Sequence, residues 1–168
     1  ILAMPLLTFG QCANPANLTA LDVSFTGSGN STHTFTFPKF DAAMGSLVGV
    51  TIRAEVTLRY RFELENRENI TISNYRVRVV REDQISGSAL WTPITNNHQA
   101  NYGPYSLSAD DGVAGSGNDF ISAGPMYVMN DNVVQQTVYN TTDFLGQGNV
   151  SLDYSANTYS IVFGSVNY

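Results

Sequence analysis

The chain has 168 residues, of which 13% are charged, and its formal net charge is −6. Charged residues usually make up about a quarter of a protein, and glycine, asparagine, serine, threonine and aromatic residues take their place here. The length suits one domain with a single substantial core. This composition is typical of a β-rich extracellular protein and argues against a cytosolic enzyme.

The basic residues are confined to one stretch of the chain. Lys39 and all seven arginines lie within residues 39–81, so residues 82–168 carry acidic charges only. Glutamates interrupt the basic stretch, which argues against a nucleic-acid partner. No run approaches the roughly 18 apolar residues of a membrane-spanning helix. The asymmetry suits a subunit that meets copies of itself better than it suits a nucleic-acid partner, and it is equally consistent with ordinary solvated charge.

The chain opens with the apolar run ILAMPLLTFGQC. It has three interpretations: the tail of a secretion signal, a strand of the protein's own core, or a segment that binds another molecule. The run lacks the basic start of a signal peptide, and its lone Cys12 excludes an internal disulfide. We expect residues 1–18 to form an extension that precedes a β-sandwich domain at residues 19–168.

Two short strand candidates follow the extension, at residues 19–26 and 32–37, and the sequence FDAAMGSL behind them offers one helical turn at most. Residues 48–66 then show the clearest pattern in the chain, because every even position from Val48 to Leu64 is apolar. Period two predicts a strand with one face in a core. Strands usually have about 3 to 10 residues, so we expect this one to bend or to pass between sheets.

Residues 70–79 are predicted to be the hairpin partner of this long strand. A turn at residues 66–68 would place Leu64 opposite Ile70. The apolar positions then change from even to odd, which predicts a β-bulge at residues 73–74.

Further strand candidates lie at residues 89–91, 126–129, 133–139, 150–154 and 159–166, with turn-rich pieces between them such as NNHQANYGPYS and ADDGVAGSGND. Strands spaced by Gly and Asn turns predict an all-β fold, an antiparallel β-sandwich or jelly roll with an extended N-terminal strand.

Catalytic motifs are missing from the sequence. There is no G-x-S-x-G, no phosphate-binding glycine motif and no HExxH, and the two histidines, His33 and His98, are far apart in the chain. We therefore expect no enzymatic activity and no required cofactor.

The acidic loop offers a calcium site. Its carboxylate and amide oxygens surround flexible glycines, and Ca²⁺ takes hard oxygen ligands. The D-x-D-x-D-G spacing of an EF-hand is absent, and turns of this composition also occur without metal. The predicted ligands are Asp110, Asp111, Asn118 and Asp119.

Two kinds of glycan site are also suggested. An exposed aromatic surface for binding sugars would need Trp91, Tyr102 and Tyr105, with His98 and Asn101, to cluster on one loop; alternatively the tyrosines pack on their own sandwich. Sequons that could carry N-linked glycans occur at Asn17, Asn30, Asn69, Asn140 and Asn149.

Two stretches resemble the choice-of-anchor E domain family. FTFPKFDAAMGSLVGVTI, residues 35–52, is similar to the opening of that domain, where F-D-x-x-x-G-x-L precedes a long alternating strand. GSGNDFISAG and DFLGQGNVSLDYSA, the latter at residues 143–156, are similar to its later part. The resemblance implies a secreted, surface-displayed bacterial β domain without a recognised enzymatic activity, and it does not account for residues 1–18.

These observations lead to two functional expectations. An apolar extension can complete the open sheet of a neighbouring subunit, which predicts an extracellular structural protein that polymerises head-to-tail with itself. The alternative is a monomeric cell-surface adhesin or glycan-binding module. The predicted donor-strand residues are Ile1, Leu2, Met4, Leu6, Leu7 and Phe9.

Overall fold

The structure is a computed structural model, and it describes residues 2–3, 8–9, 19–130 and 134–165. Within these residues it has ten strands and two short 3₁₀ helices. The strands are β1 (Leu2–Ala3), β2 (Thr8–Phe9), β3 (Ser24–Phe25), β4 (Ser31–Pro38), β5 (Val50–Glu65), β6 (Ile72–Ser86), β7 (Ile94–Leu107), β8 (Phe120–Asn130), β9 (Val134–Val138) and β10 (Asn149–Ser165), and the helices are Ala42–Met44 and Thr142–Phe144.

The strands form two sheets. In the six-stranded sheet β5 pairs with β1, β2, β8 and β9, and β1 also pairs with β3. The four-stranded sheet has the order β4-β10-β6-β7. The ladders of β1, β2 and β9 on β5, and of β4 on β10, are antiparallel. The predicted all-β antiparallel fold is confirmed.

The predicted hairpin of β5 and β6 is wrong, because the two strands belong to different sheets. Their apolar faces nevertheless meet: Leu64 of β5 and Val77 and Val79 of β6 are buried in one hydrophobic cluster. The two strands therefore pack face to face across a core, and β5 stays within one sheet along its whole length.

The predicted change of the inward-facing positions of β6 from even to odd lies at the expected place. Ile72 is buried, Ser73 and Asn74 are both exposed, and burial resumes at Val77. Asn74 has φ 66°, a left-handed backbone conformation that is uncommon outside glycine. One irregular residue thus moves the inward face from even to odd positions.

Several boundaries differ from the predictions. Residues 89–91 lie in turns rather than a strand, and residues 96–106, predicted as a loop, belong to β7. β7 is the last strand in the order of its sheet, a position in which a proline such as Pro104 is tolerated because one side of the strand has no ladder partner. The candidate at 19–26 is reduced to β3, and the last two candidates form one strand, β10.

The residues predicted as one domain divide into two compact units. Unit 1 comprises Ile1–Thr57, Glu82–Asn97 and Asn130–Asn157, and unit 2 comprises Leu58–Arg81, His98–Met129 and Thr158–Tyr168. The core of unit 1 contains Val50 and Ile52 from the six-stranded sheet and Phe37 and Leu152 from the four-stranded sheet. The core of unit 2 likewise draws on both sheets, with Leu64, Val77, Val79, Leu107 and Met129.

Candidate functional site

The N-terminal segment is a strand of its own sheet wherever the structure describes it. β1 runs antiparallel to β5, with Leu2 opposite Val56, and antiparallel to β3, with Leu2 opposite Phe25. β2 runs antiparallel to β5, with Phe9 opposite Val50. β1 therefore lies between β5 and β3, in a slot one strand wide.

This arrangement corrects one expectation. Residues 1–18 were expected to precede the domain, but residues 2–3 and 8–9 belong to the domain's sheet in the single chain. The registers of β1 and β2 on β5 differ by one residue, since Leu2 pairs with Val56 and Phe9 with Val50. The other predicted donor-strand residues, Ile1, Met4, Leu6 and Leu7, lie outside the described residues.

The walls of the slot are part of the core of unit 1. Val50 and Ile52 on β5 are fully buried, and Val56 is nearly so. Phe25 on β3 packs against this core and stacks on His33, with 4.4 Å between ring centroids. The two strands that border the slot thus contribute residues to this core.

The other edge of β5 is held by β9. Their antiparallel ladder runs from Val50 opposite Val138 to Ala54 opposite Val134. Within it the hydroxyls of Thr51 and Thr137 are hydrogen-bonded at 3.0 Å. β5 therefore keeps a paired edge whatever occupies the slot.

The acidic loop joins β7 to β8, and the fully buried Asn66 hydrogen-bonds to both ends of this loop. Asn66 Nδ2 donates to the carbonyl oxygens of Ile70 (2.7 Å) and Ser108 (2.6 Å), and its Oδ1 accepts the N–H of Glu68 (3.0 Å). Its backbone N–H donates to Asp119 O at 2.8 Å. The sequence did not indicate this role, because two of the partners of Asn66, Ser108 and Asp119, are distant in the chain.

The structure brings three of the four predicted calcium ligands together. One carboxylate oxygen from each of Asp110, Asp111 and Asp119 lies within 4.8 Å of the others. Asn118 contributes to the loop through its backbone oxygen, which accepts the N–H of Ser108 at 3.0 Å. Asp110 and Asp111 are exposed, whereas Asp119 is 1% exposed.

The predicted aromatic glycan surface is not assembled on one loop. Tyr102 and Tyr105 lie on β7 in unit 2, where both pack against Phe62. Trp91 lies in a turn of unit 1 and is 98% exposed. The packing of the tyrosines follows the alternative interpretation, in which they cover their own sandwich.

Two tyrosines that pack in this aromatic cluster, Tyr60 and Tyr105, have raised pKa values. Tyr60 and Tyr102 share a hydrogen bond between their hydroxyls. Burial, and then this hydrogen bond, raise the pKa of Tyr60 well above its ordinary value. Burial also raises the pKa of Tyr105, with a smaller effect from the nearby Tyr127.

The sequence also did not lead us to predict the two buried polar residues on β6, Arg81 and Asp83. Odd positions of β6 face inward, and the pattern continues past Val79 through Arg81 (1% exposed) and Asp83 (7% exposed). Asp83 Oδ1 accepts a hydrogen bond from Tyr154 Oη at 2.7 Å. The parity of the strand was the signal that could have identified these residues.

No protein-family model, curated protein or solved structure matches the chain. In the part of the chain that the structure describes, no helix is long and apolar enough to cross a membrane.

The predicted sequons lie at the surface wherever their asparagines are described. Asn30, Asn69, Asn140 and Asn149 are all exposed, and Asn17 lies outside the described residues. Asn140 Oδ1 accepts a hydrogen bond from Thr142 Oγ1 at 2.8 Å, which links the first and third residues of its sequon.

Proposed function

We propose that the protein is an extracellular structural subunit that assembles head-to-tail into a surface filament by exchange of its N-terminal strand. Residues 1–9 of one subunit would occupy the slot between β3 and β5 of the next. The observation that carries the proposal is the position of β1, paired on both sides by strands of one sheet.

The slot makes the exchange physically possible. If β1 and β2 leave, β5 and β3 each expose an unpaired edge with backbone N–H and C=O groups that need partners. An identical strand from a neighbour restores the same ladder. Since the donor's own slot is then filled by another copy, the contact is heterologous and propagates.

Release of the strand need not disturb the core. β1 and β2 are two-residue strands, and their described ladders on β5 are equally short. Short ladders belong to the parts of a protein that open locally at low free energy. β9 remains paired with β5 over Val50–Ala54, so the acceptor edge keeps its shape.

An extracellular location is supported by composition, by the exposed sequons and by the resemblance to surface-displayed choice-of-anchor E domains. Sequons such as those at Asn30 and Asn149 can be glycosylated only if they are accessible, and both are exposed. We also propose that the two sheets have the jelly-roll topology that the sequence predicts.

A disulfide between two cysteines introduced on opposite strands tests whether the N-terminal strand is exchanged between subunits. In a Cys12→Ser background, Ala3→Cys with Glu55→Cys joins two residues that lie opposite each other, at the separation that a disulfide requires. If strands are exchanged, protein oxidised after assembly runs as a ladder of covalent multimers on a non-reducing gel.

The matched control is Thr51→Cys with Thr137→Cys in the same background. These residues are opposite each other in the β5–β9 ladder and should link only within one chain, giving a monomer. A monomer from both pairs, with the first disulfide intramolecular, would overturn the proposal and favour the monomeric surface module. Deletion of residues 1–9 should abolish fibres in negative-stain images.

A further inference from the structure

The carboxylates of the acidic loop converge on one small volume. A Cβ atom built on Gly117 would lie 2.3 Å from Asp111 Oδ2 and 2.6 Å from Asp119 Oδ1. Both oxygens therefore point at the same place beside the Gly117 backbone. Gly117 also has φ +92°, so a side chain is excluded there both by backbone conformation and by space.

Asp119 carries a second, independent sign of a ligand. The residue is 1% exposed, and its Oδ2 accepts the backbone N–H of Asp111 at 3.2 Å. Its Oδ1 is buried and has no hydrogen-bond partner among the described residues. A buried carboxylate oxygen without a partner is costly, and this one is aimed into the cluster.

The local charges leave the cluster without a basic partner from its own part of the chain. Residues 82–168 contain no lysine or arginine. Arg67, which precedes β6, forms a salt bridge with Glu65 at 2.6 Å. The other oxygen of Glu65 accepts the N–H of Gly115 at 2.9 Å. Three carboxylates at this separation repel one another unless a cation or protons intervene.

The geometry points to a Ca²⁺ site formed by Asp110, Asp111 and Asp119. Calcium binds oxygens at about 2.3–2.6 Å, so two oxygens on one ion lie no more than about 5 Å apart. The separation of the three carboxylate oxygens, within 4.8 Å, satisfies this limit. Buried Asn66 hydrogen-bonds to the backbone at both ends of the loop that carries the ligands. Water would complete the coordination.

Calcium titration of the 168-residue chain, after removal of metal with EDTA, tests the site. We expect one binding event per chain by calorimetry. At Ca²⁺ concentrations about 100-fold above the dissociation constant, the melting temperature should rise by about 5–10 °C. Since the site lies in unit 2, deletion of residues 1–9 should leave this shift unchanged, which separates it from the strand-exchange proposal.

Two variants and one control assign the ligands. Asp110 is exposed, and Asp110→Asn keeps the oxygen that accepts the N–H of Gly112. This variant should therefore fold and lose most of the calcium-induced rise in melting temperature. Asp119→Asn should do the same. Asp153→Asn removes one exposed carboxylate that accepts a hydrogen bond from Thr34, and should keep the full shift.

The proposal is overturned if millimolar Ca²⁺ neither binds nor raises the melting temperature of the wild type. Retention of the full shift by Asp110→Asn would also overturn it. An equal shift with Mg²⁺ would overturn the assignment to calcium, since Mg²⁺ needs shorter, octahedral coordination.

Discussion

Asn66 and Asp119 are both buried in unit 2, and their side chains differ in one respect. Asn66 uses its amide nitrogen twice and its amide oxygen once within the fold. Asp119 leaves one carboxylate oxygen without a partner among the described residues. The first residue therefore has a structural role that the chain itself fulfils, whereas the second suits a ligand that the chain does not supply.

At the residue scale, the raised pKa of Tyr60 predicts a loss of stability in alkali. The unfolded chain releases this proton near pH 10, and the folded protein holds it to higher pH. Stability is therefore intact below about pH 10 and falls as the pH rises above it. We expect the urea midpoint of wild type to drop as the pH rises from about 10 to 12, and the midpoint of Tyr60→Phe to drop less.

The control is Tyr139→Phe, which removes a hydroxyl that is 80% exposed and should leave the pH dependence of the midpoint as in wild type. If Tyr60→Phe loses stability as steeply as wild type over this range, burial of the Tyr60 hydroxyl is not the cause.

At the element scale, β6 is the strand whose inward face changes phase. Asn74 absorbs the change in a left-handed conformation, which costs a residue with a β-branched side chain more than it costs asparagine or glycine. Asn74→Val should lower the free energy of unfolding by about 1–2 kcal/mol, and Asn74→Gly should leave it nearly unchanged.

Urea unfolding of these variants is compared with Ser73→Val. Ser73 is the exposed neighbour in the same strand and has no such backbone constraint, so its replacement should be close to neutral. Equal effects of valine at both positions would mean that Asn74 does not set the phase of the strand.

At the scale of the whole molecule, two units with separate cores share their strands. β5, β6, β7 and β10 each contribute residues to both units. Unfolding of one core would therefore release one end of strands that continue into the other unit. We expect a single cooperative unfolding transition rather than two.

Leu107 and Leu152 test this expectation, because they are 1% and 0% exposed in units 2 and 1 respectively. Leu107→Ala should cost about 2–5 kcal/mol and should accelerate hydrogen exchange of the slowest amides in both units by the same factor. Leu152→Ala, made in the other unit, should have the same effect. Acceleration confined to the mutated unit would show that the units unfold separately.

The sequence by itself determined several of the strands and which of their faces turn inward, although it did not identify β7. Period two in residues 48–64 predicts β5, and the change of parity after Ile72 predicts the irregularity at Asn74. Both follow from alternation along one chain, which depends only on neighbouring residues. The acidic residues of the loop could likewise be identified as a group from their spacing.

Only the tertiary structure decided which strands pair. An apolar face on β5 and another on β6 match equally well side by side or across a core, so alternation could not exclude the hairpin. The same limit applies to Asn66, which donates a hydrogen bond to Ser108, 42 residues away in the chain. It also left open whether Asp110, Asp111 and Asp119 meet, and which edges the N-terminal strand occupies, because both depend on contacts between distant segments.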